Sequence, residues 1–443
     1  MVSSSILVFY FSAAAASLSL AGSDAPSQDL ARSDAFVEQH LSHWLELYKE
    51  LHARPELSLC EKETAQRLAT AWRRSGLTVT EGVGGTGIVG VLGTGKPPRL
   101  MLRTDMDALP IVEETGLPYA SHVRAPLEGK EVGVMHACGH DLHMTIVTGA
   151  LQTLSALRDS WHGTLLVVGQ PAEERGMGSA AMLADGLFER FPRPQAALAL
   201  HVDAMMPAGH LGTTFGWAMA NADAVDIAVF GTGGHGAAPH ETRDPIVLAA
   251  RIVLALQTIV SRELPPNDAV VVTVGSIQGG SKHNLIPDRV DLQLTVRCYA
   301  PETRAHILQS IERICRGEAI AAGVDRMPEV KVRDEFTPAL YNDPELGQRL
   351  VSVFTEIFGK DRLHEREPEM VAEDFSRYGL VEPRIPIFMF RLGTAPQALY
   401  ERSLQPGGAP LPPLHSSRYS PDPEPSIRAG VRAFVAAALD RLR

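Results

Sequence analysis

"GTLLVVGQPAEERGMGS", residues 163–179, places an apolar run between Gly163 and Pro171, sets Glu173 and Glu174 directly after it, and turns through glycines into a helix-like segment. A short run bounded by Gly and Pro and rich in Leu and Val reads as a strand buried on both faces. Both faces are covered only when helices pack above and below a sheet, so the stretch predicts an α/β architecture. "GIVGVLG" (87–93), "RLMLRTD" (99–105) and "AALALHV" (196–202) repeat the pattern, with helix-like segments at 143–158 and 178–188 between such runs. Upstream, Phe36, Leu41, Trp44, Leu45 and Tyr48 recur near a 3.6-residue period until Pro55 stops the helix. "CEKETAQRLATAWRRSG" (60–76) repeats that period and ends on a glycine suited to a helix C-terminus.

From residue 222 the pattern changes. "AVDIAVFGTGG" (224–234) alternates like a strand with one wet face, and "DPIVLAARIVLALQTIVSR" (244–262) is a helix with Pro245 in its first turn. Two strands, "AVVVTVGSIQGG" and "RVDLQLTVRCY", a helix over 301–323 and a last strand, "EVKVRDEF", complete the segment. Strand-helix-strand-strand-helix-strand is a ferredoxin-like order. The reading is an α/β domain formed by 30–221 and 337–443, interrupted by a compact α+β insertion at 222–336. The larger domain resumes with "PRIPIFMFRLG" (383–393) as a strand and closes with a helix at 426–441. A chain of 443 residues is long enough for two cores.

The net charge of −11 argues against a nucleic-acid partner, whose phosphates need a basic surface. Beyond the N-terminus no stretch reaches the roughly 18 uninterrupted apolar residues of a membrane span, so no membrane partner is expected. Residues 1–25 include an apolar run followed by small residues, which resembles a secretory signal but lacks a Lys or Arg before the run. The expectation is an exported, periplasmic or secreted protein if that signal operates, and a cytoplasmic one if the segment is only an N-terminal extension. Cys60, Cys138, Cys298 and Cys315 are scattered and form no CxxC pair, so no disulfide framework is implied.

Chemistry-bearing residues concentrate in "GVMHACGHDLHM" (133–144), with His136, Cys138, His140, Asp141 and His143. Cys138 and His140 are one residue apart, and a thiolate with an imidazole suits zinc and other transition ions rather than magnesium or calcium. Two such residues alone are also what coincidence supplies. Glu173 and Glu174 follow a buried strand at its carboxyl end, where open α/β sheets bind ligands; one carboxylate can hold a metal while the other takes a proton. An acidic pair on a solvated loop is the plainer reading. His201 closes the apolar run "ALALH", and His415 lies on a loop before the last helix. Each has an ordinary alternative, an interior hydrogen bond for the first and solvent exposure for the second.

In order, these residues resemble the dinuclear-metal amidohydrolase family that includes aminoacylases, hippurate hydrolases and plant indole-acetyl-amino-acid hydrolases. The resemblance runs from about residue 35 to the C-terminus and rests on "MLRTDMDALPIVEETGLPYAS", "MHACGHDLHM", "GQPAEE", "ALHV", "GTGGHGAAPH", "HNLIPD", "MVAEDFSRYG" and "LHSS". It implies a mixed-sheet dinuclear metal hydrolase domain with an inserted ferredoxin-like lid, often a dimerisation domain, through which a homodimer or homotetramer would form. It implies two divalent ions of zinc, manganese or cobalt, held by Cys138, His140, Glu174, His201 and His415 with one ligand bridging. Glu173 matches the general base, and Asp105 and Asp107 match carboxylates close to the metals. His235 matches a histidine that polarises the scissile carbonyl, in some members from the partner subunit. Asn284 and Arg297 match residues that hold the carbonyl or the substrate carboxylate; their ordinary readings are a turn asparagine and a surface arginine. The implied substrate is an N-acyl amino acid with an apolar acyl group. A metal-dependent dipeptidase or carboxypeptidase, or an N-acetyl amino acid deacetylase, would use the same machinery.

Overall fold

A computed structural model of the chain describes residues 25–443. Residues 1–24, which carry most of the signal-like stretch, lie outside the described residues.

Eight strands form the main sheet in the spatial order Thr78–Val83, Gly87–Gly93, Thr164–Gln170, Arg99–Asp105, Ala196–Pro207, Ile387–Ala395, Leu211–Thr213 and Leu363–Glu365. Arg99–Asp105 runs parallel to both of its neighbours, and Ile387–Ala395 runs parallel to Ala196–Pro207. The first three strands pair antiparallel, so the sheet is mixed. Every residue of Thr164–Gln170 is buried, as an apolar run in a sheet covered on both faces requires. Helices Ala25–His52, His140–Ala156 and Pro423–Arg441 pack together on one face, burying Trp44, Trp72, Leu151 and Phe434. A second cluster with Met101, Met182, Phe375, Tyr378 and Met389 fills the other face.

The insertion is a four-stranded antiparallel sheet in the order Val271–Gly279, Arg289–Arg297, Asp223–Phe230, Glu329–Val332. Helices Pro245–Thr258 and Pro301–Ala322 pack on it around Val225, Ile252, Leu292 and Ile311. Asp244 starts the first of these helices by accepting from the Ile246 and Val247 N–H groups, which an N-terminal turn leaves without helical partners. Pro245–Glu263 is long and apolar enough to cross a membrane by length and composition, although Arg251 interrupts its apolar run. One of its faces, carrying Leu248, Ala249, Ile252 and Leu256, is spent on the insertion's own core. The chain enters the insertion through Asn221–Ala222 and returns through Glu335–Thr337. Ala222 and Thr337 exchange two backbone hydrogen bonds of 2.8 and 3.0 Å, so these crossings form one narrow ribbon.

Two features depart from the sequence reading. The apolar run at 196–202 is the first half of a longer strand, so His201 sits within it and not at its end. Parallel pairing with Ile387–Ala395 carries the strand on through Asp203 and shields polar side chains that would otherwise end it. The outer strand Thr78–Val83 and the edge strand Leu363–Glu365 are unanticipated because their half-exposed residues lack a clear apolar pattern, and the buried Leu211–Thr213 because three residues are too few to show one.

Candidate metal centre

The site lies where Arg99–Asp105 and Thr164–Gln170 end side by side, with Asp105 opposite Gln170 in the parallel register. Beyond Asp105 the chain brings Asp107 into the same place. Its carboxylate accepts from the backbone N–H of Glu173 at 3.1 Å, from that of Glu174 at 3.0 Å and from the Ser58 hydroxyl at 2.6 Å. One buried carboxylate therefore fixes the turn that carries both glutamates.

Cys138 and His140 flank Gly139, whose φ of +75° turns the loop into helix His140–Ala156. A Cβ at Gly139 would lie 2.6 Å from Val202 Cγ2, so glycine is required by both the backbone angle and the close approach. His140 Nδ1 donates to the Asp107 carbonyl at 2.8 Å and His201 Nδ1 to the Val202 carbonyl at 2.8 Å. A carbonyl only accepts, so both rings carry their proton on Nδ1 and present the Nε2 lone pair. His140 Nε2 and Glu174 Oε1 are buried with no hydrogen-bond partner. Leaving such atoms unpaired costs free energy that a cation would recover.

The other donors gather around them. Cys138 Sγ is 3.5 Å from His201 Nε2 and 3.3 Å from His415 Nε2. Glu174 Oε1 is 3.6 Å from His415 Nε2 and 3.9 Å from His140 Nε2. His415 arrives on its loop with φ of 65° and its N–H bonded to the Ala137 carbonyl. Cys138, His140 and His201 form one cluster of donors; Cys138, Glu174 and His415 form another, and Cys138 belongs to both. Three imidazoles, a thiol and a carboxylate form a donor set suited to transition-metal ions.

The electrostatics point the same way. Burial, then Glu174 and Glu173, pushes the Cys138 thiol well above its ordinary range. Burial, opposed by His140 but aided by Asp107, moves Glu174 to about 7. Burial, then Glu373, Glu174 and Asp374, raises Glu173 well above the carboxylate range. His140 is lowered by burial, but Asp105, Asp107 and Glu174 outweigh this and bring it to about 10. The cluster thus demands positive charge, and a dication in place of the His140 proton would supply it.

Several participants lie in stretches quoted above but have no role assigned from the sequence. His143, in the same stretch as Cys138, donates from Nδ1 to Asp105 at 2.7 Å and accepts at Nε2 from the Val202 N–H at 3.0 Å. Both of its nitrogens are used, so it braces Asp105 and the strand beneath His201. Arg103 is wholly buried below Glu173, donating to Asp105 at 2.6 Å, Gln170 at 3.0 Å, Glu373 at 2.8 Å and Asp374 at 3.2 Å. It gives "EDF" a place: Glu373 and Asp374 lie against Glu173, tied to the sheet through one guanidinium.

A cavity of ≈ 850 Å³ opens over the cluster and is lined by Cys138, Glu173, Glu174, His201 and His415. Arg297 enters it from the insertion, and Arg391, paired with Glu369, enters from the main sheet. His235 and Asn284 lie outside this lining, exposed on the ribbon Gly234–His235/Leu285–Ile286. His235 Nδ1 accepts from the Ala237 N–H at 3.0 Å, which leaves its proton on Nε2. The structure therefore brings together every predicted metal ligand, Glu173, both aspartates and Arg297, and keeps His235 and Asn284 apart from them.

Known proteins share this arrangement of sequence. The profile described as peptidase family M20/M25/M40 matches residues 101–438. A hippurate hydrolase of Campylobacter jejuni is 37% identical over 332 residues, covering 74% of this chain and 82% of that protein. Thermostable carboxypeptidase 1 of Saccharolobus solfataricus is 32% identical over 406 residues, covering 90% and 96%. Among solved structures, a Bacillus subtilis protein described as a dinuclear metal binding peptidase of the M20 family superposes with a TM-score of 0.73 at 26% identity, covering 91% of this chain and 99% of its own. With a matched profile over most of the chain and relatives of this identity along nearly its whole length, the chain belongs to the M20/M25/M40 peptidase family and is a hydrolase.

Proposed function

We propose that the chain hydrolyses the amide bond of N-acyl amino acids bearing an apolar acyl group, releasing a carboxylic acid and an amino acid. The observation that carries this reading is the cavity itself: Glu173 on the sheet side and Arg297 on the insertion side share it with Met219, Val271, Met370, Val371 and Leu414. The apolar side chains suit a hydrophobic acyl group, while the guanidinium suits the carboxylate of the amino acid through its planar fork.

Cys138, His140, Glu174, His201 and His415 would hold two divalent ions of zinc, manganese or cobalt. When bound, such ions supply Lewis acidity that activates a water and polarises a carbonyl. The rest is the work of the chain. Asp107 holds the backbone of Glu173 and Glu174, so the two carboxylates keep fixed and separate duties. Glu173 accepts the proton of the water that attacks the amide carbonyl carbon, then delivers it to the leaving nitrogen as the C–N bond breaks. Arg297 anchors the leaving amino acid by its carboxylate. His235 and Asn284 lie outside the cavity lining, so their part at the carbonyl depends on closure of the lid or on a second copy of the chain.

The test is amino-acid release from benzoyl, indole-acetyl, long-chain acyl and acetyl conjugates and from free dipeptides, after chelation and after return of zinc, manganese or cobalt. Turnover of the apolar acyl conjugates, lost on chelation and restored by one metal, is expected. Turnover confined to acetyl conjugates or dipeptides would overturn the substrate assignment.

A further inference from the structure

A second cavity of ≈ 540 Å³ lies against the ribbon formed by Asn221–Ala222 and Glu335–Thr337, which would be the hinge of any lid movement, on the side away from the metal cluster. The ribbon that links the two sheets is a wall of both cavities. Asn221, Phe336 and Pro338 face the second cavity, while their neighbours Ala222, Glu335 and Thr337 line the catalytic one. Alternate residues of an extended ribbon point to opposite sides, so filling one cavity presses on the strand that shapes the other. The remaining walls come from both bodies: Tyr299 and Arg304 from the insertion, Trp217, Tyr341 and Ile385 from the main domain.

The lining says what it would accept. Trp217 and Tyr341 meet edge to face with ring centroids 4.9 Å apart, and Phe336 adds a third ring. Arg304 is already engaged, bonded to Asp223 at 2.6 to 3.1 Å and stacked 4.0 Å from the Phe336 centroid. Arg384 is not: its side chain is 74% exposed and its ion-pair partner, Glu382, is 3.9 Å away, while Asp343, also in the lining, is engaged by the Leu346 N–H at 2.8 Å. Aromatic walls with a lightly engaged guanidinium match a small aromatic carboxylate, whose ring packs edge to face while its anion meets Arg384. We propose that the hinge cavity bounded by Trp217, Phe336, Tyr341 and Arg384 is a second ligand site for a small aromatic carboxylate, and that its occupancy stiffens the hinge between the lid and the metal domain. This holds whatever amide the metal site cleaves.

Phenylacetate is the probe, added to the full-length, metal-loaded protein. Trp44, Trp72 and Trp161 are sealed in the main core, which makes Trp217 the tryptophan that senses the cavity. A saturable change in tryptophan emission is expected, with affinity falling at least tenfold in Arg384→Glu and in Ala339→Phe, which fills the space. Arg297→Ala should leave it unchanged. Hydrogen exchange at the Ala222 and Thr337 amides should slow on addition of ligand in the wild type, and not in Arg384→Glu. Absence of a saturable change, loss of binding in Arg297→Ala but not in Arg384→Glu, or binding without hinge protection would each overturn the proposal. Phenylacetate has to bind here even if no N-acyl amino acid is turned over, so the two readings fail separately.

Discussion

Glu173→Gln separates base from ligand. Glu173 sits within reach of two kinds of partner, since its carboxylate lies in one cluster with His140 and Glu174 and in another with Glu373 and Asp374. The amide keeps the side chain's volume and leaves the Asp107 anchor untouched, because that bond is made by the Glu173 backbone. It also offers a donor beside Glu373 Oε2, which is buried without a partner, so melting should occur at or above the wild-type temperature. The five metal donors are unaltered, and two ions per chain should remain by elemental analysis. What is lost is the proton acceptor. General-base catalysis contributes roughly 10²- to 10⁴-fold, so kcat should fall by that factor, about 3 to 5.5 kcal/mol in activation free energy, with KM changed little. The assay is amino-acid release under saturating metal, with metal content measured on the same sample. A kcat within about tenfold of wild type at full metal loading would refute Glu173 as the base. A fall in activity that tracks lost metal would make it a ligand instead.

Three further outcomes follow from single contacts. Gly139→Ala forces a side chain into left-handed backbone and against Val202, at a cost of about 1–2 kcal/mol from the backbone alone; metal affinity should weaken because Cys138 and His140 flank the turn, and a titration that matches wild type would disprove the fit. Arg103→Met strands Asp105, Glu373 and Asp374 in the interior, so stability in urea should drop by about 3–5 kcal/mol, with partial recovery in Arg103→Met/Glu373→Gln; no recovery would place the cost elsewhere. His52 is buried between Asp141 at 2.7 Å and Glu113 at 3.0 Å; burial lowers it, but the two carboxylates prevail and hold it at about 9. Its contribution, on the order of 3 kcal/mol, is therefore complete below its ordinary value near 6.5 and is lost as the pH rises through 9. The stability gap between wild type and His52→Gln should shrink across that window; a gap that is constant from pH 6 to 10 would mean that His52 is not charged in the fold.

The buried strands were the legible part of this chain because burial on two faces leaves no room for polar residues, and "TLLVVGQ" therefore announces itself. Edge strands such as Thr78–Val83 meet solvent on several residues and lose that signature. The same distinction governs the metal centre. Cys138, His140, Glu173 and Glu174 stand out because each lies in a short stretch where unlike chemistry crowds together, and the structure gathers Cys138, His140 and Glu174 with His201 and His415, and sets Glu173 beside His140 and Glu174. Arg103 was not, although it sits within a strand recognised at once. A lone arginine in "RLMLRTD" looks like an interruption of an apolar run, and its partners Glu373 and Asp374 lie 270 and 271 residues along the chain. Nothing local to either stretch encodes the pairing; only closure of the sheet does, by bringing the end of Arg99–Asp105 under the 374–379 turn. Yet a buried guanidinium in that strand is acceptable only if carboxylates meet it, because an unpaired charge there would cost more than the marginal stability of a domain. An arginine at an interior strand position thus itself states that acidic residues from elsewhere converge on the carboxyl end of the sheet, and the "EDF" within "MVAEDFSRYG" supplies them.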